Sequence, residues 1–200
     1  MSGAVRAALG LKARTGRAIL VALAGDVHAP ALVERSQFKL LPVGAFAPYH
    51  AAADLEPVAG RASVAQSVAD AHRLAQACIR EAGERVEASG YELCGGAVLT
   101  GTGMPDWTTD DILAVHVRMH KAEGELFRDV LAHGVRECGI PLTTLPEKSA
   151  LDDAAKRIGI SRERLDAILA ALGKATGPPW AKDQKEAAAA ALVALCAAQA

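Results

Sequence analysis

The sequence has few aromatic residues, no close pair of cysteines and no long apolar run. Phe, Trp and Tyr make up 4% of the 200 residues, so few rings are present on which bases could stack. The four cysteines are widely spaced and form no CxxC pair, which argues against a zinc knuckle or a redox motif and predicts the reduced thiols of a cytoplasmic protein. No apolar run approaches the roughly 18 residues of a membrane span, so no membrane partner is expected.

The chain also lacks a strong net charge. Its formal net charge is −1, so no overall basic field attracts nucleic acid. The charge is uneven, however, because residues 1–50 carry six basic side chains against two acids, a local balance of +4. This asymmetry is compatible with a nucleic acid or another phosphate-bearing partner but does not require one. The basic residues of this part are Arg6, Lys12, Arg14, Arg17, Arg35 and Lys39.

The apolar pattern predicts the element order β-β-β-α-β-α-β-α-α-α. The first three segments have strand-like patterns and short connections, which favours an antiparallel meander. Long amphipathic helices precede each of the two later strands, and crossovers of this length favour parallel pairing. The predicted strands lie at about 5–13, 17–25, 31–43, 91–100 and 140–146, and the helices at about 62–89, 109–138, 150–158, 162–175 and 181–198.

This order predicts an α/β fold built on a mixed five-stranded sheet that is flanked by helices. Strands 1–3 form the antiparallel meander, and strands 4 and 5 run parallel to strand 1. Residues 1–200 are expected to form a single α/β domain, with a small helical insertion at about 148–176. The alanine-rich composition favours a core of small side chains and close packing of helices.

Two segments carry a family resemblance. GLKARTGRAILVAL, residues 10–23, is a strand–turn–strand opening, and DQKEAAAAALVAL, residues 183–195, places acids before an alanine-rich run. With the element order, they resemble the first hairpin and the C-terminal helix of the RuvC-type resolvase branch of the ribonuclease-H-like superfold. AVLTGTG, residues 97–103, is loosely similar to the glycine-rich nucleotide turn of the related actin-like ATPases. The resemblance implies a ribonuclease-H-like fold.

One position departs from the RuvC-type pattern. The branch carries a metal-binding acid on its first strand, and Lys12 falls at or next to that position. A two-metal phosphoryl-transfer site needs several carboxylates, and an ammonium there repels the metal. Asp183 and Glu186 match the C-terminal acids of the branch, with Asp106 as a loose third. The resemblance therefore implies a member that lacks the two-metal nuclease site.

The second long helix contains an unusual set of polar residues. At about 100° per residue, His116, His120 and Glu123 are predicted to share the apolar face of this helix. Their i, i+4, i+7 spacing lets the three side chains converge, which suits a metal ion or a His–Glu acid/base pair. Alternatively, Glu123 is a buried structural partner, with His120 or the turn of Lys12 and Arg14 as its first expected partners. A divalent metal is not favoured, because the HExxH pattern is absent.

A phosphate-binding edge is the second candidate site. A glycine-rich turn at the end of a strand can hold an anion, and ligands of α/β sheets bind at this edge. The alternative is a tight turn beside an exposed basic hairpin. The candidate ligand-binding residues are Lys12, Arg14 and Thr15 of the first turn, and Thr100, Gly101, Thr102 and Gly103 after the fourth strand.

Three functional hypotheses follow from these features. The first is a ribonuclease-H-like domain that associates with nucleic acid or phosphate and lacks the two-metal nuclease site. The second is a hydrolase or nuclease that uses His116, His120 and Glu123, or Asp183 and Glu186, as catalytic residues. The third is a protein interaction module, and a homodimer is compatible with all three. No cofactor is identified by the sequence.

Overall fold

A computed structural model describes residues 4–198. They contain a five-stranded sheet in the order β3-β2-β1-β4-β5. Strand β1 pairs antiparallel with β2 and parallel with β4, β2 pairs antiparallel with β3, and β4 pairs parallel with β5. The predicted α/β fold and mixed sheet are therefore confirmed. The strands are β1 Val5–Arg14, β2 Arg17–Ala24, β3 Ala31–Lys39, β4 Tyr91–Thr100 and β5 Leu142–Pro146.

The helices differ from the predicted ones in three places. The short helix α1 was not predicted, and α2 begins earlier than expected, at Pro57, whose fixed φ suits a first helical position. The predicted second helix is interrupted, because Val115 is extended and separates α3 from α4. The helices are α1 Pro48–Ala52, α2 Pro57–Ala88, α3 Thr109–Leu113, α4 His116–Glu137, α5 Ala150–Ile158, α6 Arg162–Thr176 and α7 Lys182–Ala197. Within residues 4–198, no helix has the length and apolarity that a bilayer crossing requires.

Helices cover both faces of the sheet. One apolar cluster joins β1 and β2 to α2 and α4, and the other joins the opposite face to α5, α6 and α7. The approach of α7 to β1 is unusually close: a Cβ atom on Gly10 would lie 1.8 Å from the carbonyl oxygen of Ala187 and 2.6 Å from the backbone nitrogen of Ala191. This short distance between α7 and β1 is possible because the strand has glycine and the helix has alanine at the point of contact.

The topology brings several chain segments to one edge of the sheet. Strands β1, β4 and β5 are parallel, so their carboxyl ends lie at the same edge. The N-terminal turn of α7 reaches this edge, since Asp183 and Glu186 contact side chains of β1 there. The edge therefore combines residues from β1, β4, β5 and α7.

Candidate functional site

A buried lysine lies at the centre of this edge. Strand alternation places Lys12 on the α7 face of β1, two residues after Gly10, and the residue is 1% exposed. Its Nζ donates a hydrogen bond to Oε2 of Glu186, which is itself buried. The same Nζ lies 3.0 Å from Oε1 of Glu147 and 3.6 Å from Oδ1 of Asp183. Burial of an unpaired ammonium would cost several kcal/mol. The three carboxylates around Lys12 offset this cost.

Two arginines complete the charge pattern around Lys12. Arg14 donates two hydrogen bonds to Asp183, the Nε–Oδ2 distance being 2.9 Å. Arg128 of α4 donates to Glu147, with Nη2 2.7 Å from Oε2. Each carboxylate at this edge therefore contacts at least one basic side chain. We call this set the edge cluster: Lys12, Arg14, Arg128, Glu147, Asp183 and Glu186.

The edge cluster keeps two of its carboxylates ionised. The hydrogen bond from Arg14 lowers the pKa of Asp183, and this effect outweighs its partial burial. Burial raises the pKa of Glu147, but hydrogen bonds from Arg128 and Lys12 act more strongly in the opposite direction, so that its pKa is also lowered. Both groups are therefore negative at neutral pH and balance the buried ammonium.

These lowered pKa values predict acid-sensitive stability. The contribution of Asp183 is complete above the ordinary carboxyl pKa of about 4 and is lost as the pH falls through its lowered pKa. We expect Asp183→Asn to be less stable than the wild type in urea at pH 7, and this difference to shrink at pH 3. Asp106→Asn, which changes an exposed carboxylate after β4, is the control and should track the wild type. A stability difference for Asp183→Asn that is independent of pH would contradict this account.

The glycine-rich turn opens onto a cleft beside the edge cluster. This cleft has a volume of about 570 Å³ and is lined by Thr100, Gly101 and Thr102 together with Lys182 and Glu186 of α7. A Cβ atom on Gly101 would lie 2.3 Å from a carboxylate oxygen of Glu125, so a larger residue there would displace that side chain. The predicted glycine-rich turn and Glu186 of the last helix therefore meet in one cleft.

The remaining predicted ligand-binding residues lie around this cleft or outside it. Arg14 and Thr15 line a smaller cavity of about 130 Å³, which shares Arg128 and Glu147 with the main cleft. Gly103 has a φ of +73°, which favours glycine, and it is not among the residues that line the main cleft.

Sequence reasoning missed two members of the edge cluster. Glu147 follows β5 directly, so an acid after the fifth strand was a signal that was available but not used. Arg128 gave no such signal, because only the packing of α4 on the sheet brings it to Glu147.

A second group of polar side chains lies where α1 meets α4. Glu123 is 5% exposed, so its predicted burial is confirmed. Its expected partners were wrong: Oε1 accepts a hydrogen bond at 2.9 Å from Nδ1 of His50 and another at 3.3 Å from the His50 backbone nitrogen. His50 was missed because α1 was not predicted.

The histidines of α4 are placed differently from expectation. His116 and His120 are exposed instead of being buried with Glu123, because this end of α4 turns Met119 and Ala122 towards the core and leaves the two histidines outside it. Their Nε2 atoms are nevertheless 3.0 Å apart. The ring of His50 is centred 4.9 Å from that of His116 and 4.5 Å from that of His120. We call His50, His116, His120 and Glu123 the histidine cluster.

Solved structures share this architecture, although no protein-family model and no curated protein sequence matches the chain. Thermus thermophilus RuvC in complex with a Holliday junction substrate superposes with a TM-score of 0.53 and 13% identity, over 97% of this chain and 95% of that chain. A further Thermus thermophilus RuvC structure gives a TM-score of 0.52 and 12% identity, over 96% and 95% of the two chains. The chain therefore has a RuvC-like ribonuclease-H fold.

Proposed function

We propose that this protein is a RuvC-like domain that binds nucleic acid along the carboxyl edge of its sheet and does not cleave it by a two-metal mechanism. The observation that carries the proposal is the buried ammonium of Lys12, which contacts three carboxylates at that edge. The resemblance to the RuvC-type branch implies that the metal-binding acids of that branch lie at this same edge.

The edge cluster does not fit a pair of divalent metal ions. Two-metal catalysis needs carboxylate oxygens that are free to bind the cations. Here Glu186 accepts a hydrogen bond from Lys12, Glu147 forms an ion pair with Lys12, and Asp183 accepts hydrogen bonds from Arg14. A cation next to Lys12 Nζ would also meet the repulsion of a like charge inside a buried site.

The charges around the cleft support the binding of a phosphate backbone. The edge cluster and the cleft together hold four carboxylates and five basic side chains, and a sixth basic side chain, Lys121, donates a hydrogen bond to Thr102 of the cleft. The excess of basic groups comes from lysines on the rim, and Lys182 is 78% exposed there. Rim lysines contact phosphates without reading sequence. The carboxylates are Glu125, Glu147, Asp183 and Glu186, and the basic groups are Lys12, Arg14, Lys121, Arg128, Lys148 and Lys182.

The fold comparison agrees with a nucleic-acid ligand. The RuvC structure with which this chain superposes contains a Holliday junction substrate. A branched DNA is therefore the first ligand to test, with linear duplex beside it.

Fluorescence anisotropy with a four-way junction and a duplex tests the binding. We expect measurable affinity at low salt that falls steeply as salt rises, because phosphate contacts release counterions. The double variant Lys148→Gln/Lys182→Gln should bind both DNAs more weakly and reduce the log–log salt slope by about 1 for each lost contact. Lys174→Gln, an exposed lysine of α6 outside the cleft lining, is the matched control and should bind like the wild type.

Incubation of the same DNAs with Mg²⁺ or Mn²⁺ tests the lack of cleavage, and we expect no products. Metal-dependent cleavage that disappears in Asp183→Asn would overturn the catalytic half of the proposal. Failure to bind any DNA at low salt would overturn the other half and favour an interaction module.

A further inference from the structure

We propose that the histidine cluster is a binding site for one divalent transition-metal ion, with His50, His116 and His120 as ligands. This site is separate from the edge cluster and does not depend on the proposed nucleic-acid function. Among residues 4–198, no other group of three or more His, Cys, Asp or Glu side chains has the proximity needed to hold a metal ion.

The distances between the three imidazoles suit a shared ion. Their ligand nitrogen atoms all lie within 4.8 Å of one another, and the Nε2 atoms of His116 and His120 are 3.0 Å apart. Tetrahedral zinc with Zn–N bonds of about 2.0–2.1 Å requires nitrogens about 3.3 Å apart. Binding therefore requires the side chains of His116 and His120 to rotate, and both are exposed, which is where rotamer changes are fast.

Glu123 prepares His50 for metal binding. The carboxylate accepts the hydrogen bond of Nδ1, which fixes the tautomer in which Nε2 carries the free lone pair. That Nε2 atom is buried and finds no hydrogen-bond partner in the described part of the chain. A buried polar atom without a partner is costly, and a metal ion would satisfy it. A carboxylate behind a histidine ligand also raises the basicity of that ligand.

The ligand set indicates the type of ion and its coordination. Imidazole nitrogens suit zinc, copper, nickel and cobalt, whereas magnesium and calcium prefer oxygen. Three histidines leave the fourth tetrahedral position for water or another ligand. His50 also lines a surface cavity of about 380 Å³ together with Phe46 and Ser67, so part of this side chain faces solvent.

Metal titration of purified protein tests the site. After chelator treatment and dialysis, calorimetric titration with Zn²⁺ should give one ion per chain, and Co²⁺ should develop the visible absorption of a tetrahedral complex. The double variant His116→Ala/His120→Ala should lose both signals. Since both residues are exposed, its circular dichroism and melting in the absence of metal should match those of the wild type.

Two further variants separate a built site from incidental histidine binding. His133→Ala removes another exposed histidine of α4, whose ring is centred 4.6 Å from that of His72, and it should bind Zn²⁺ like the wild type. Glu123→Gln should weaken Zn²⁺ binding about 10- to 100-fold, the usual effect of losing such a supporting carboxylate. Unchanged Zn²⁺ affinity in the His116/His120 double variant, or an equal loss in His133→Ala, would overturn the proposal.

Discussion

Lys12→Met is expected to lower the free energy of unfolding by about 3–5 kcal/mol at neutral pH, the usual result of removing one partner of a buried ion pair. Methionine keeps most of the length of the side chain but removes the charge. Glu186, which is 4% exposed, then retains a carboxylate in the core without its hydrogen-bond donor. Urea unfolding followed by circular dichroism measures the loss.

Two companion variants show whether charge pairing causes this loss. Lys182→Met removes an ammonium that lies 3.7 Å from the same Glu186 but is 78% exposed, so we expect a change within about 0.5 kcal/mol. The double variant Lys12→Met/Glu186→Leu should recover most of the stability, because an apolar pair can replace a buried ion pair. Similar losses for Lys12→Met and Lys182→Met would contradict the arrangement described for the edge cluster.

Gly10→Ala is expected to be the most damaging single-methyl substitution in the sheet. The added Cβ would lie 1.8 Å from the carbonyl oxygen of Ala187, a backbone atom that cannot rotate away. Either α7 moves off β1 or the strand distorts, so we expect a loss of at least about 3 kcal/mol, at or above the usual cost of overpacking. Thermal unfolding measures the loss, and limited proteolysis tests whether α7 has detached.

Gly95→Ala is the matched control on the neighbouring strand β4. Its Cβ would face the same helix, but the nearest atoms are the carbonyl oxygen of Pro141 at 3.5 Å and Cβ of Ala194 at 3.7 Å, which are ordinary contacts. We expect Gly95→Ala to be tolerated or slightly stabilising, since alanine loses less backbone entropy than glycine. If both variants melt like the wild type, then α7 does not pack on β1 as closely as described.

The antiparallel meander of β1, β2 and β3 could be predicted from sequence because the relevant signals are local. The segments that became β1 and β2 are mostly apolar and are joined by one turn, so their pairing depends on few distant contacts. The break before α4 could not be predicted in this way. Ile112 and Met119 continue the helical apolar spacing across the interruption at Val115, and only the tertiary packing of α3 and α4 decides that the chain bends there.

The sites could be predicted in part for the same reason. Lys12, Asp183 and Glu186 were identified by resemblance to a known pattern, and the fold brings them together. The partner of Glu123 could not be found from helix periodicity, because His50 is 73 residues away in sequence and lies on a helix of five residues. A helix this short produces no periodic signal.

The positive charge beside Glu147, Asp183 and Glu186 is part of the polypeptide, because Lys12 supplies it. If a dissolved cation bound these carboxylates instead, its occupancy would depend on its concentration, and a chelator could remove it. The ammonium of Lys12 is tethered to the strand whose folding delivers it to Glu186 and Glu147, so the chain itself sets its effective concentration. The polypeptide itself therefore neutralises these carboxylates, with one Lys12 ammonium in every molecule, whatever the concentration of divalent cations.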